Sequence, residues 1–478
     1  MSKARVLLIT VLALIVVGGV GVGVAHLSRG SRPEHAQRSH DHTRVHSHHT
    51  KAPKSDANAP NVVFVLTDDQ AYRGTVKRMP WLHSHQHGFT RFTHAYDNNP
   101  LCCPARATIL SGLYSHHTHV ETNADGEKFD PSSTIATWLH GAGYETGLFG
   151  KYLNGFPFGR GSDYVPPGWD RFSAFRKEPH YYDYTLRTGD RWRRFGHKPS
   201  DYSTRVVGHR ALRFVRRARE PFFAYVAPYG PHRASHQAAT SIPDPRDRHL
   251  FRHAPVKQPR NFNRVAKHSP RWWKSRPPVV RHFAARSERR AWATLRSEDR
   301  LVHKLVNTLR GRGALGNTIL VFLSDNGYSF GAHRWMSKQC AYEECIHVPL
   351  FIRAPGIPHR TVRAMVGDQD LAPTLGALAG VPHPNVDGSS LVSLMTAHRS
   401  SLHRPMLLHH VRSNHNHSQP PTYWAVRTDH WKYLQQKNGS RELYDLDRDP
   451  RELRNVIGRP ALAHKARRLA AKLRALRR

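Results

Sequence analysis

Val62-Val63-Phe64-Val65-Leu66-Thr67-Asp68-Asp69-Gln70 is a short run of buried-type, mostly β-branched residues that stops at two carboxylates. Such a run predicts a strand covered on both faces, as in a parallel sheet. Working outward from it, Thr134 to His140 followed by Gly141-Ala142-Gly143 predicts a helix closed by glycine, and Tyr144 to Phe149 the next strand. Phe222 to Ala227, Thr318 to Leu323 and Val348 to Ile352 are further apolar runs, and Glu298 to Leu309 carries apolar residues at 301, 302, 305, 306 and 309. Strands alternating with helices define an α/β domain around a largely parallel sheet.

The two aspartates then acquire a chemical meaning. In open α/β sheets ligands gather beyond the carboxyl ends of strands, which is where Asp68 and Asp69 fall. Adjacent carboxylates repel until a cation sits between them, and oxygen donors suit Ca²⁺ or Mg²⁺. The Thr318–Leu323 run ends likewise in Ser324-Asp325-Asn326-Gly327. A blander reading makes Asp68 a helix cap and Asp325-Asn326-Gly327 a turn. Between the two acid pairs lies Leu101-Cys102-Cys103-Pro104-Ala105-Arg106, in which Cys102, Pro104 and Arg106 spell C-x-P-x-R.

With these residues in view the chain resembles the formylglycine-dependent (type I) sulfatases of the alkaline phosphatase superfamily, closest to the N-acetylglucosamine-6-sulfatase and arylsulfatase branch. Further stretches carry the resemblance: Gly143-Tyr144 to Asn154, Asn261-Phe262-Asn263, Tyr342-Glu343-Glu344 with Val348-Pro349-Leu350, and Glu442 to Leu446 with Asp449-Pro450. The resemblance implies an alkaline phosphatase-like fold and hydrolysis of sulfate esters of a sugar or aryl group. It implies that Cys102 is oxidised to formylglycine by a maturation enzyme, and that Asp68, Asp69, Asp325, Asn326 and the modified Cys102 hold Ca²⁺, with Mg²⁺ the alternative. Hydrated, the aldehyde offers one hydroxyl to attack sulfur and a second to expel sulfate afterwards. Arg106 would steady that side chain or the ion site, Lys151 and Lys338 would contact the sulfate, and His232 would bind sulfate or assist the leaving group. One departure stands out: many sulfatases carry a histidine two residues after the lysine matching Lys151, and here that position is Leu153. His333 is one candidate for the missing function. Two rival readings are a phosphodiesterase or phosphonate hydrolase of the same superfamily and a non-catalytic surface protein that binds polyanions.

Outside these motifs the chain is polar and strongly basic. A formal net charge of +38 favours polyanionic partners and excludes a cationic substrate. Arginine and histidine are scattered along the whole chain and no nucleic-acid motif accompanies them, so no nucleic-acid partner is expected. Lys3 and Arg5 precede an apolar run from Val6 to Ala25, so residues 1–27 read as a signal peptide or an N-terminal membrane anchor, and the protein as exported, either secreted or anchored. The histidine- and arginine-rich residues 28–57 read as a disordered linker, 58–398 as the catalytic α/β domain, and 399–478 as a small α+β domain of antiparallel strands with a basic terminal helix. Residues 233–290, rich in Pro, His and Arg, read as a long surface excursion framing the substrate, with Trp272, Trp273 and Trp292 either satellite core or sugar-stacking rings. Of four cysteines, Cys103 reads as packing, and Cys340 and Cys345 are candidates for a bridge.

Overall fold

The computed structural model describes residues 58–234, 237–413 and 418–478; the expectations for residues 1–57, export signal, anchor and linker alike, lie outside them. Fourteen strands are present among the described residues: β1 Asn61–Thr67, β2 Thr90–Tyr96, β3 Glu145–Gly150, β4 Arg171–Ala174, β5 Thr185–Thr188, β6 Arg191–Arg194, β7 Phe222–Ala227, β8 Thr318–Ser324, β9 His347–Arg353, β10 Thr361–Gly367, β11 Met406–His410, β12 Tyr423–Arg427, β13 Trp431–Gln436 and β14 Arg441–Asp445. Eight of them form one sheet in the order β10-β2-β9-β8-β1-β7-β3-β4. Every neighbouring pair is parallel except the two made by β9, which alone runs the other way.

β1 lies inside the parallel block, with Thr67 opposite Ser324 of β8 and Val65 opposite Val226 of β7. Its side chains alternate between two cores, as a strand's period of two requires. Val62, Phe64 and Leu66 join a cluster with the Cys102–Ser111, Ile135–Gly141 and Leu371–Ala379 helices. Val63 and Val65 join another, with the Ser203–Arg217 and Arg281–Gly311 helices. The result is the expected helix–sheet–helix layering, and it sends four strand ends, those of β8, β1, β7 and β3, to one edge.

Strands β11 to β14 form a separate antiparallel meander. One face packs Leu408, Ala425 and Leu434 against Tyr96 and Met365 of the main sheet and Ile346 just before β9. The other is covered by Leu469 and Leu473 of the Ala463–Leu476 helix. The excursion after Arg233 is largely irregular, but it ends earlier than its composition implies, because the helix expected from Glu298 already begins at Arg281. Arginines spaced through its first turns hide the apolar period there. Trp273 packs on Trp335 and Tyr342, and Trp292 lies under the Arg78 guanidinium at 4.1 Å, so both rings serve local cores. Cys340 and Cys345 form a disulfide, and Cys103 is a buried thiol in the main core.

Candidate active site

Beyond Thr67 the backbone turns sharply: Asp69 adopts a left-handed conformation with φ 64°. Aspartate tolerates this better than bulkier residues, and unusual φ values recur at functional sites. The turn is pinned from both neighbouring strands, since Asp68 N–H donates to the Gly230 carbonyl at 3.1 Å and Asp69 N–H to Asp325 Oδ1 at 3.1 Å. Two consecutive carboxylates are thereby held at the floor of the site, both buried.

Cys102 enters from a different element. It opens the Cys102–Ser111 helix, whose every residue is buried. Pro104 fits in the first turn because amides there have no partner within the helix to lose. Arg106 lies one turn on, and its side chain reaches back toward the helix start, as helical geometry directs. Its Nε donates to Asp325 Oδ2 at 2.9 Å, Nη1 to the Lys151 carbonyl at 2.9 Å, and Nη2 stands 3.5 Å from Asp68 Oδ2. This arginine therefore ties three strand ends to the nucleophile's helix.

Lys151 follows Gly150, whose φ is 115° and whose place no side chain can share, because a Cβ there would stand 2.0 Å from the Ala227 carbonyl oxygen. The glycine lets the chain cross close over β7 and deliver Lys151 Nζ to Asp68 Oδ2 at 2.6 Å. Lys338 comes from the long loop after β8, and its Nζ lies 2.6 Å from both Asp69 Oδ1 and Cys102 Sγ. Cys102 Sγ is also 3.4 Å from Asp68 Oδ1, and Asn326 Nδ2 donates to Asp69 Oδ1 at 2.7 Å. His232, beyond β7, places Nε2 3.4 Å from Asp69 Oδ2, while Tyr181 donates to its carbonyl at 2.6 Å. All nine residues singled out in the sequence thus meet in one cluster.

Burial and charge act against each other here. Burial alone would raise Asp68, yet Lys151, His232, Arg106 and Lys338 hold its carboxyl far below the usual range. Asp325 is pushed up to about 6 by burial and by Asp68, with Arg106 opposing. Burial and Asp68 also raise the Cys102 thiol, so as an unmodified cysteine it is a poor nucleophile. His232 is lowered by burial, with Asp69 opposing.

Three aspartates face three fixed cations. The site can also hold a divalent ion: Asp68, Asp69, Cys102 and His232 each bring a donor atom within 4.8 Å of the others, and among them the oxygens of Asp68 and Asp69, with Asn326 Oδ1 buried and without a hydrogen-bond partner, are donors of the kind a hard cation takes. The raised carboxyl of Asp325 is the kind of strain such an ion relieves.

Two expectations need refinement. Leu153 is 2% exposed and belongs to the hydrophobic core, so nothing polar replaces the missing histidine at its own position. His333 stacks on Tyr342 with ring centroids 3.9 Å apart, Asn261 Nδ2 lies 3.1 Å from its Nε2, and it groups with Glu344 and Glu452 rather than with Asp68, Asp69, Cys102 and His232.

The sequence reading missed supporting acids. Asp97 and Asp368 form a buried carboxyl pair, Asp97 raised well above its ordinary value by burial and by Asp368, beside the loop that leads to Cys102. Asp97 directly follows β2, the same strand-end signal that marked Asp68. Glu298 was read only as a helix position. It is fully buried behind Gly230, where a Cβ would stand 2.1 Å from its Oε1, and burial pushes it up to about 8.

A mostly parallel α/β sheet that gathers carboxylates, lysines and a cysteine at a buried helix start at one edge defines an alkaline phosphatase-like architecture. The chain belongs to the sulfatase family: the family profile described as Sulfatase matches residues 60–381, and that described as N-sulphoglucosamine sulphohydrolase, C-terminal, matches residues 331–478. N-acetylglucosamine-6-sulfatase of Homo sapiens is 35% identical over 363 residues, 70% of this chain and 64% of that protein. The extracellular sulfatase SULF-1 homolog of Drosophila melanogaster is 31% identical over 388 residues, 75% of this chain and 34% of that protein. The chain thus spans between about a third and two-thirds of the length of these curated relatives. A protein solved in complex with its substrate D-glucosamine-2-N,6-O-disulfate shares the fold with a TM-score of 0.75 at 23% identity, over 87% of this chain and 97% of that one.

Proposed function

We propose that the chain is an exported sulfuric ester hydrolase acting on a sulfated sugar or aryl sulfate. One observation carries this reading above the others: Cys102 Sγ, at the buried start of a helix, touches Lys338 Nζ and Asp68 at the focus of the acid and lysine cluster. A thiol raised by burial is unsuited to attack, so the position makes chemical sense once the side chain is oxidised to formylglycine, whose hydrate supplies hydroxyl nucleophiles. Asp68, Asp69, Asp325 and Asn326 would hold Ca²⁺, which supplies Lewis acidity next to that side chain. The remaining roles fall to fixed groups. Arg106 positions Asp68 and Asp325, Lys151 and Lys338 present ammonium groups to the sulfate, and His232 stands on the more open side of the cluster, its side chain 17% exposed. Because the carboxylates and fixed cations already balance, a divalent ion leaves the cluster net positive, which favours an anionic ester and stabilises charge in transfer.

Matches to N-acetylglucosamine-6-sulfatase and to an extracellular sulfatase support the sugar ester and the export. Among the described residues no helix is long and apolar enough to cross a membrane. The test pairs two measurements on protein co-produced with a formylglycine-generating enzyme. Mass spectrometry of the Cys102 peptide is expected to show the aldehyde, and the protein is expected to release sulfate from p-nitrophenyl sulfate or N-acetylglucosamine-6-sulfate faster than phosphate from matched phosphodiesters or phosphonate esters. Faster phosphorus chemistry would move the assignment to a phosphonate hydrolase. Thiol only at Cys102, with no ester turnover, would leave a polyanion-binding protein.

A further inference from the structure

A groove of about 880 Å³ runs along the flank of the main sheet, between the Ser203–Arg217 helix on one side and the β4 edge with the β5–β6 hairpin on the other. Its floor is aromatic: Phe149, Trp169, Phe172, Phe195 and Phe214, each at least nine-tenths buried. Its rim is arginine. Arg210, Arg213 and Arg217 are spaced by three and four residues, so they share one face of the helix. Arg171, Arg187 and Arg193 line the groove with them, against three carboxylates, Glu145, Asp170 and Asp190.

Two of those carboxylates are already engaged. Asp170 accepts from Thr146 N–H at 2.8 Å and lies 3.2 Å from His140 Nε2, while Glu145 accepts from Arg219 N–H at 2.8 Å and stands 4.0 Å from Arg171. Among the described residues Arg187, Arg193, Arg210, Arg213 and Arg217 make no ion pair with a carboxylate. Arg210 is half-buried yet donates only to neutral oxygens, Thr188 Oγ1 at 2.7 Å and Ser173 Oγ at 3.2 Å. Burial lowers it from its ordinary value, and Arg193 and Arg213 add to the effect. Arg193, Arg213 and Arg217 beside it are exposed, and like charges clustered without counterions create a local positive field that favours an anion from outside.

We propose that this groove is a second binding site, for a linear sulfated polysaccharide, separate from the cluster around Cys102. The inference rests on the sulfated-sugar reading of the active site for its choice of polyanion. Guanidinium forks match sulfate oxygens two at a time, and unpaired arginines on both walls suit a chain bearing charges along its length. The rings are too deeply covered to act as stacking platforms for nucleobases, and no apolar side chain of the groove projects as a membrane insert would.

The test uses the full chain, matured at Cys102, with heparin as the probe and desulfated heparin as its control. The variant R193Q/R213Q/R217Q removes exposed rim charges only, and R467Q/R468Q/K472Q on the terminal helix removes the same charge elsewhere. The groove variant is expected to bind heparin about tenfold more weakly, with the control variant near wild type. Its KM for a sulfated polysaccharide is expected to rise while kcat/KM for p-nitrophenyl sulfate stays unchanged. Equal loss in both variants would overturn the proposal in favour of diffuse charge, as would tighter groove-dependent binding of duplex DNA or of phosphatidylserine vesicles than of heparin. R210Q, folded by circular dichroism and with the same weakening, would extend the site inward; normal heparin binding by both groove variants would end it. Because binding is read apart from turnover, loss of the sulfatase reading would show as absent sulfate release with groove-dependent binding intact.

Discussion

The cluster at Cys102 and the flank groove solve the same electrostatic problem in opposite ways. At the cluster, Asp68, Asp69 and Asp325 are matched by Arg106, Lys151 and Lys338 at contact distance and in nearly complete burial. In the groove Arg193, Arg213 and Arg217 lie in water and, among the described residues, make no ion pair with a carboxylate. Burial makes pairing compulsory, whereas partial exposure lets a surface keep charge in reserve for a partner. On the proposed readings, the contrast separates a site for a single sulfate from one for many.

The hardest break is at the nucleophile. Cys102→Ala is expected to lower sulfate ester turnover at least about 10⁴-fold, measured as initial rate on p-nitrophenyl sulfate, because no other group takes its place. Next comes the pairing itself. Arg106→Ala leaves Asp325 buried without its guanidinium and is expected to cost about 3–5 kcal/mol in chemical denaturation. A smaller effect comes from a buried acid with no cation. Glu298 is held protonated up to about 8 in the fold, whereas in the unfolded chain it releases its proton near about 4.5. The folded state therefore holds an extra proton between those values, and stability falls as pH rises through that window. Glu298→Gln keeps the shape and removes the proton exchange, so its Tm advantage over wild type should widen between pH 5 and pH 8.5; a constant gap would refute the assignment. Smallest is the groove: R213Q/R217Q is expected to shift folding stability by no more than about 0.5 kcal/mol, and upward if at all, since it removes repulsion and no contact.

Much of this was legible in the sequence where local pattern and chemistry coincide. Val62 to Leu66 is apolar at consecutive positions because both faces of β1 are covered, and the acids follow where the strand leaves the sheet. Cys102, Pro104 and Arg106 were legible through the resemblance their C-x-P-x-R pattern carries, and the structure adds that they open a helix. Features set by distant pairing were not. The reversal of β9 depends on its neighbours β2 and β8, and nothing in His347–Arg353 itself encodes direction. The β5–β6 hairpin hides in alternating arginines, and the first turns of the Arg281–Gly311 helix in a basic, weakly periodic run. Glu298 occupied an ordinary helical position, and only the close approach of Gly230 gives it meaning. The groove arginines were counted in the net charge, but their lack of partners is a property of three dimensions.

The pairing of β1 with β8 also sets a clock. Thr67 and Ser324 are opposite each other in the sheet although some 250 residues separate them, and at about 5–20 residues per second roughly 10–50 s pass between the synthesis of one and the other. Until β8 arrives, Asp325 is missing, Arg106 lacks its shortest carboxylate partner, and β1 lacks one of its two neighbours. In the finished fold Cys102 is 1% exposed. On the proposed reading, an enzyme that oxidises this cysteine would compete with folding and act before the helix is buried, so the yield of oxidised molecules would be decided by a race between two rates and not by the stability of the finished fold.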